Sequence, residues 1–216
     1  RDAQVDQRVV RRGLQAGATD ITNSSALTVI DSTVTGALGL ATTSGNLAIN
    51  AITATGLTVT LNAAGAITDA NGATSNIDAT TLDATAASGI DLDTTIAMLT
   101  AAGGAGAIDI SDVDALTVTS ATTTDGAITI AAGNTLTATL LDAQDLAADE
   151  LHDVTLTTAA GNIVVDSITA DNEVILNAAG AVTDANAGAT NITALSLDAT
   201  AMSGIDLDTD VDSITA

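Results

Sequence analysis

The sequence predicts an all-β fold: a parallel β-solenoid of about ten coils over residues 18–216, preceded by a short basic segment, 1–17, with a helical pattern. Three observations lead there. Residues 65–94, GAITDANGATSNIDATTLDATAASGIDLDT, return 115 positions later as 180–209, with 21 of the 30 positions identical. A chain that copies a structural unit is extending a length or a surface. The 216 residues also include no Phe, Tyr, Trp, Pro or Cys. A globule of that size fills its centre with aromatics, so a core built from Ala, Val, Ile, Leu and Thr has to be thin. Finally, apolar residues alternate with Thr or Asp in short phrases, the period of a half-buried strand.

These observations favour stacked coils over a sandwich. A solenoid coil buries a narrow apolar lumen and bonds to the coils above and below it, so small aliphatics suffice. A sandwich has two broad faces to fill across about 10 Å, which Ala without aromatics does poorly. The 46% apolar fraction argues against a disordered chain. Ten coils at about 4.8 Å each make a rod about 50 Å long.

In residues 1–17, Val5, Val9, Val10 and Leu14 recur at spacings of four and five, as on an amphipathic helix. The cluster of Arg1, Arg8, Arg11 and Arg12 reads as a solvated face or processing site before it reads as a docking element. From 18 onward, alternating phrases at 27–29, 57–61, 90–92, 108–110, 116–118, 128–130, 163–165 and 205–207 predict strands. Gly45-Asn46, Asn71-Gly72, Gly133-Asn134 and Gly161-Asn162 punctuate them as turns with positive φ. Cuts at 51–72, 73–94, 95–112, 113–133, 168–188 and 189–209 leave segments of 18 to 22 residues, each one solenoid coil. Residues 140–151 fit helical spacing about as well as alternation and predict an irregular coil or a small helical insertion. Arg1 in place of an initiator Met marks a processed chain or an excerpt of a longer one. Ile214-Thr215-Ala216 matches Leu99-Thr100-Ala101 inside the first copy, so the unit is expected to continue into further repeats or to stack on copies of itself.

Charge narrows the function classes. All four Arg fall in the first twelve positions, there is no Lys, and 25 acids follow from Gly13 onward. Such a body repels nucleic acid and anionic lipid, and attracts divalent cations or basic partners. No run of 18 apolar residues offers a membrane span. One His and no Cys or Lys leave few nucleophile–base pairs and no His-based zinc site, so no enzymatic activity is expected. His152 reads as an ordinary surface residue.

The candidate ligands are carboxylates for Ca2+. Asp206, Asp208, Asp210 and Asp212 alternate, so an extended strand projects all four from one face about 7 Å apart, and a hard cation would relieve their repulsion. Asp91 and Asp93 repeat the theme in the first copy, and Asp109, Asp112 and Asp114 form a third cluster. The competing reading is a solvated acidic face that keeps the rod soluble, with no cofactor required. Asp69-Ala70-Asn71-Gly72 and Asp184-Ala185-Asn186 read as turns, and the Thr pairs at 58/60 and 117/119 lack the strict short period of an ice-binding array.

The aromatic-free strand phrases, with LNAAGAITDANG at 61–72 and LNAAGAVTDANAG at 176–188, resemble the β-strand repeats of very large bacterial surface proteins, filamentous-haemagglutinin-like β-solenoid adhesins above all. The resemblance covers residues 18–216. It implies a right-handed parallel β-helix, secretion to the cell surface or beyond, and a role as shaft or adhesive fibre. It leaves two partners to expect, copies of the chain itself and a receptor or glycan. Bacterial surface-layer proteins share the composition, but their calcium-binding nonapeptide is not matched by Gly103-Gly104-Ala105-Gly106-Ala107, which lacks the acidic position.

Overall fold

A computed structural model describes residues 8–11, 17–144 and 152–216. In chain order the strands are β1 (Arg8–Arg11), β2 (Thr19–Asn23), β3 (Leu27–Thr33), β4 (Leu38–Thr42), β5 (Leu47–Ile49), β6 (Ile52–Ala63) and β7 (Ile67–Asp69). Then come β8 (Ile77–Ala86), β9 (Ile90–Thr95), β10 (Met98–Gly104), β11 (Ile108–Asp112), β12 (Leu116–Thr123), β13 (Ile128–Ala132) and β14 (Leu136–Ala143). β15 (Val154–Thr158), β16 (Ile163–Ala170), β17 (Glu173–Ala178), β18 (Val182–Asp184), β19 (Ile192–Ala201) and β20 (Thr209–Thr215) complete the chain. No helix occurs among the described residues. Every strand pairing is parallel, and each strand bonds mainly to the strands two before and two after it, so the chain is an all-β parallel solenoid.

The coils stack in register. One ladder carries ten inward rungs, Leu27, Leu47, Ile67, Ile90, Ile108, Ile128, Val154, Val174, Leu197 and Ile214. The first nine are at most 3% exposed. A second ladder runs from Ile21 through Leu40, Leu61, Ala84, Ala101, Ala121, Leu141, Ile168 and Ile192 to Thr209. Among the described residues the buried apolar side chains are all Leu, Ile, Val or Ala. Alternation accounts for this: within β13 the burial sequence is buried, exposed, buried, half-buried, buried. Each fully buried Leu or Ile contributes about 1.5–3 kcal/mol, so a narrow lumen is stabilised by repetition rather than by bulk.

The 115-residue repeat is not a whole number of coils. In the first copy Leu82 follows Val59 and precedes Leu99 and Val118 on the ladder that runs through Thr19 and Leu38. Its counterpart Leu197 stands instead on the ladder that runs through Leu27 and Leu47. The second copy is therefore turned by one face. The switch is built where β10 meets β12: the pairing slips between Leu99 and Thr100, and a single inward run splits into two around Ser120.

Three expectations change. Arg8–Arg11 forms a strand paired with β3, not a turn of helix; the rest of 1–16 lies outside the described residues. Gly133 has an ordinary φ, whereas Gly45, Gly72 and Gly161 take positive φ as expected. A Cβ at Gly133 would lie 1.9 Å from the Val113 carbonyl oxygen, so glycine is needed there for close approach of two coils. Ile205 to Leu207 is not a strand: Ile205 makes one bridge to Val182, and β20 begins at Thr209. Of the ambiguous stretch, Leu140 to Ala143 completes β14, and 145–151 lies outside the described residues.

Candidate functional site

The most elaborate polar structure belongs to the repeated segment. After β7 the chain turns at Asp69, whose Oδ1 accepts the N–H groups of Asn71 at 2.7 Å and Gly72 at 3.2 Å. These bonds make the expected turn. The same oxygen accepts Nδ2 of Asn76 at 2.7 Å. Asn76 is fully buried, donates to the Ile49 carbonyl at 2.9 Å, and accepts the Asp93 N–H at 2.8 Å. One side chain thus ties its own coil to the coil before and the coil after. The second copy rebuilds the arrangement: Asn191 donates to Asp184 Oδ1 and to the Val165 carbonyl, both at 2.9 Å, and accepts the Asp208 N–H at 2.8 Å. The amide oxygens of Asn71 and Asn186 are buried without a protein hydrogen-bond partner in both copies.

These bonds set the carboxyl groups. Burial alone raises Asp69, but the bonds from Asn71, Asn76 and Gly72 together hold it below the ordinary carboxylate range. Asp184 is lowered first by the Asn191 amide and then by the Asn186 N–H. The sequence reading missed Asn76 and Asn191. Their signal was available: Asn is identical in the two copies, while Ser75 and Asp78 beside it become Thr190 and Thr193.

The nine candidate ligands divide by environment. Asp91 on β9 and Asp109 on β11 stand directly opposite each other in adjacent coils. Asp91 is raised by partial burial and then by the charges of Asp109, Asp69 and Asp93. Asp93 is raised by burial and by Asp69 and Asp109, against a hydrogen bond with Ser111. Asp112 turns inward and is 5% exposed. Its Oδ2 accepts Thr94 Oγ1 at 2.9 Å and the Ile96 N–H at 2.8 Å, and its Oδ1 accepts the Asp114 N–H at 2.9 Å. Burial raises Asp112 despite these bonds. It closes a corner of the coil, while Asp109 and Asp114 face solvent.

Asp206, Asp208, Asp210 and Asp212 are exposed on the last coil, with Asp206 and Asp208 ahead of β20 and Asp210 and Asp212 within it. Because the second copy is turned by one face, Asp206 and Asp208 do not stand on the ladder of Asp91 and Asp109, which runs on through Thr129, Thr155 and Ile175 to Asp198. Among the described residues no three His, Asp or Glu side chains converge as metal ligands.

His152 is a correction. It is 8% exposed rather than a surface residue, and its Nε2 lies 3.1 Å from Asp125 Oδ1. It precedes the inward rung Val154 by two residues, so alternation turns it inward as well. Asn172 of the next coil fixes its backbone, donating its N–H to the His152 carbonyl at 3.2 Å.

A surface groove crosses successive coils past Thr55, Asp78, Thr95, Asp114 and Asn134. Its polar wall is organised locally, with Thr55 Oγ1 donating to Asp78 Oδ2 at 2.9 Å. No helix among the described residues is long and apolar enough to cross a membrane. The chain shares the repeat architecture of β-helix proteins, and the comparisons add no relative: no protein-family model matches it, and no curated protein and no solved structure matches it.

Proposed function

We propose that this chain is a shaft segment of an extracellular or bacterial cell-surface fibre, in which repetition of coils sets length. The observation that carries the reading is the ten-rung aliphatic ladder, in which each coil is stabilised by its neighbours above and below. An architecture of that kind gains stability with each added coil and gains length in the same step. The acidic body supports the reading from outside, since like charge on neighbouring rods keeps them apart in solution. No reaction is assigned to the carboxylates: Asp112 is committed to closing a corner, and Asp69 and Asp184 to holding turns.

Immunogold electron microscopy of the source cells tests this. Label along filaments outside the cell is the expected result, and label confined to the cytoplasm overturns it. Substitutions in the Thr55 to Asn134 groove that abolish attachment without shortening the filaments would move the reading to an adhesion module for a receptor or glycan.

A further inference from the structure

We propose that Asn71 is a site of spontaneous covalent modification, at which the side-chain amide closes on the Gly72 nitrogen to a succinimide that water opens to aspartate or isoaspartate. The chemistry is independent of the shaft reading.

The two copies build the same turn from different residues. In Asp69-Ala70-Asn71-Gly72 and in Asp184-Ala185-Asn186-Ala187 the first carboxylate accepts the N–H groups of the third and fourth residues. The copies part at the fourth residue, glycine in one and alanine in the other, and 71–72 is the one Asn-Gly step in the sequence. The nucleophile of such a ring closure is the backbone nitrogen that follows asparagine. Because it is tethered to the carbonyl it attacks, no catalyst is needed. A Cβ on the residue that carries this nitrogen obstructs the approach to Cγ.

The surroundings of Asn71 leave the closure room. Gly72 is exposed, takes φ +72°, and a Cβ placed on it would meet nothing within 4 Å. Its N–H is held by Asp69 Oδ1 at 3.2 Å, the long end of the hydrogen-bond range, whereas the Asn71 N–H is held at 2.7 Å. The Asn71 amide is held from one side only. Its Nδ2 donates to the Asn50 carbonyl of the preceding coil, and its Oδ1 has no protein partner. Asn186 is held twice, with Nδ2 donating to the Asp166 carbonyl at 2.5 Å and to the Thr190 carbonyl at 3.5 Å. Ala187 adds the obstructing methyl group, at φ +54°.

The reaction draws only on solvent. Hydroxide takes the Gly72 N–H proton, the N–Cγ bond forms, and the Cγ–Nδ2 bond breaks. The amide nitrogen leaves as ammonia with a proton from water, which restores the hydroxide. A second water then breaks either the new N–Cγ bond, leaving aspartate, or the original peptide bond to Gly72, leaving isoaspartate. Either product loses the donor to the Asn50 carbonyl and places a charge where Asn71 has a buried oxygen, so the turn grips the preceding coil less firmly.

The test incubates the full chain, shown to be folded by circular dichroism, from neutral to mildly alkaline pH. Ammonia release, the masses of peptic peptides and an isoaspartate assay follow the reaction. The expected result is loss of the amide at Asn71, faster as pH rises, with Asn76, Asn186 and Asn191 intact. Gly72→Ala is expected to abolish the conversion, and Ala187→Gly to confer it on Asn186. Since Ala187→Gly relieves a positive φ and adds a reaction, it remains informative where Gly72→Ala fails to fold. An Asn71 amide that survives in the folded chain overturns the proposal, and its loss in a urea-unfolded sample alone would show that the turn protects it. Equal conversion of Asn71 and Asn186 in the parent chain overturns it too.

Discussion

Residues 90–94 and 205–209 share the sequence IDLDT and have different structures. The first is strand β9, with Ile90 2% exposed; in the second, 205–208 make one bridge through Ile205, which is 41% exposed, and only Thr209 joins a strand, β20. On the side of the preceding coil the two are alike, since Ile90 meets Ile67 in a single pairing and Ile205 meets Val182 in a single bridge. What differs is the following coil: β11 bonds along five residues of β9, and no described strand pairs with 205–208 on the far side. Strand formation here is a property of the stack, not of the pentapeptide, as expected where each unit is stabilised through its neighbours.

The largest effect that can break this comparison is a core truncation made twice. Leu92 is 1% exposed and Leu207 is half-buried. Leu92→Ala should cost about 2–5 kcal/mol in urea denaturation, and Leu207→Ala about 1 kcal/mol or less. Equal costs would mean that the last coil is as well packed as an inner one.

Glycine separates strain from packing at the next level. Gly89 and Gly204 occupy equivalent positions with φ of +106° and +114°. A Cβ at Gly89 would stand 2.8 Å from the Ala107 carbonyl oxygen, whereas one at Gly204 meets nothing within 4 Å. Gly204→Ala should therefore cost about 1–2 kcal/mol from backbone strain alone, and Gly89→Ala about 3 kcal/mol. Thermal midpoints of the two variants check the difference, and a Gly204→Ala loss equal to that of Gly89→Ala sinks the argument.

The buried asparagines should behave alike instead. Asn76 and Asn191 are at most 1% exposed, and each completes its bonds within described coils. Asn76→Ala and Asn191→Ala should each cost about 1–3 kcal/mol, because each strands the Asp93 or Asp208 N–H and removes one of the two bonds at the Ile49 or Val165 carbonyl. A cost at Asn191 several-fold below that at Asn76 would show that the last coil frays in solution.

Much of this was legible in the sequence, and its limits have physical causes. Alternation marks strands such as 108–110 and 128–130 because one residue faces the lumen and the next faces solvent. Alternation says nothing of which coil lies opposite. At 205–207, where alternation predicts a strand, only the bridge from Ile205 to Val182 forms. The turn of the second copy by one face was hidden too, because it depends on a register slip at Thr100 that leaves the local pattern intact. The acids were legible as a cluster but not as directions: Asp112 and Asp114 are two residues apart, yet one is buried with three hydrogen bonds and the other exposed. His152 was misread because a lone imidazole in an acidic chain looks solvated, while its two-residue offset from Val154 decides its side.

The smallest effect concerns titration and again sets one copy against the other. Asp91 is raised above 3.8 by burial and by Asp109 opposite it, so its charged form destabilises the fold at neutral pH. That penalty fades as pH falls through its raised folded value and is gone below 3.8, where folded and unfolded states are both protonated. Asp69 and Asp184 are lowered, so their stabilisation is complete above 3.8 and is lost as pH falls through their depressed folded values. Stability should first rise and then fall on acidification from neutral pH. Asp91→Asn should add a few tenths of a kcal/mol at pH 7, the usual scale for like charges opposed across strands, and nothing below the ordinary carboxylate range. Asp206→Asn has no described strand opposite it and should add less. Denaturation midpoints measured from neutral to acid for both variants decide the matter. A gain at Asp206 equal to that at Asp91 would show that long-range repulsion over the whole acidic body, not the in-register pair of adjacent coils, governs the response.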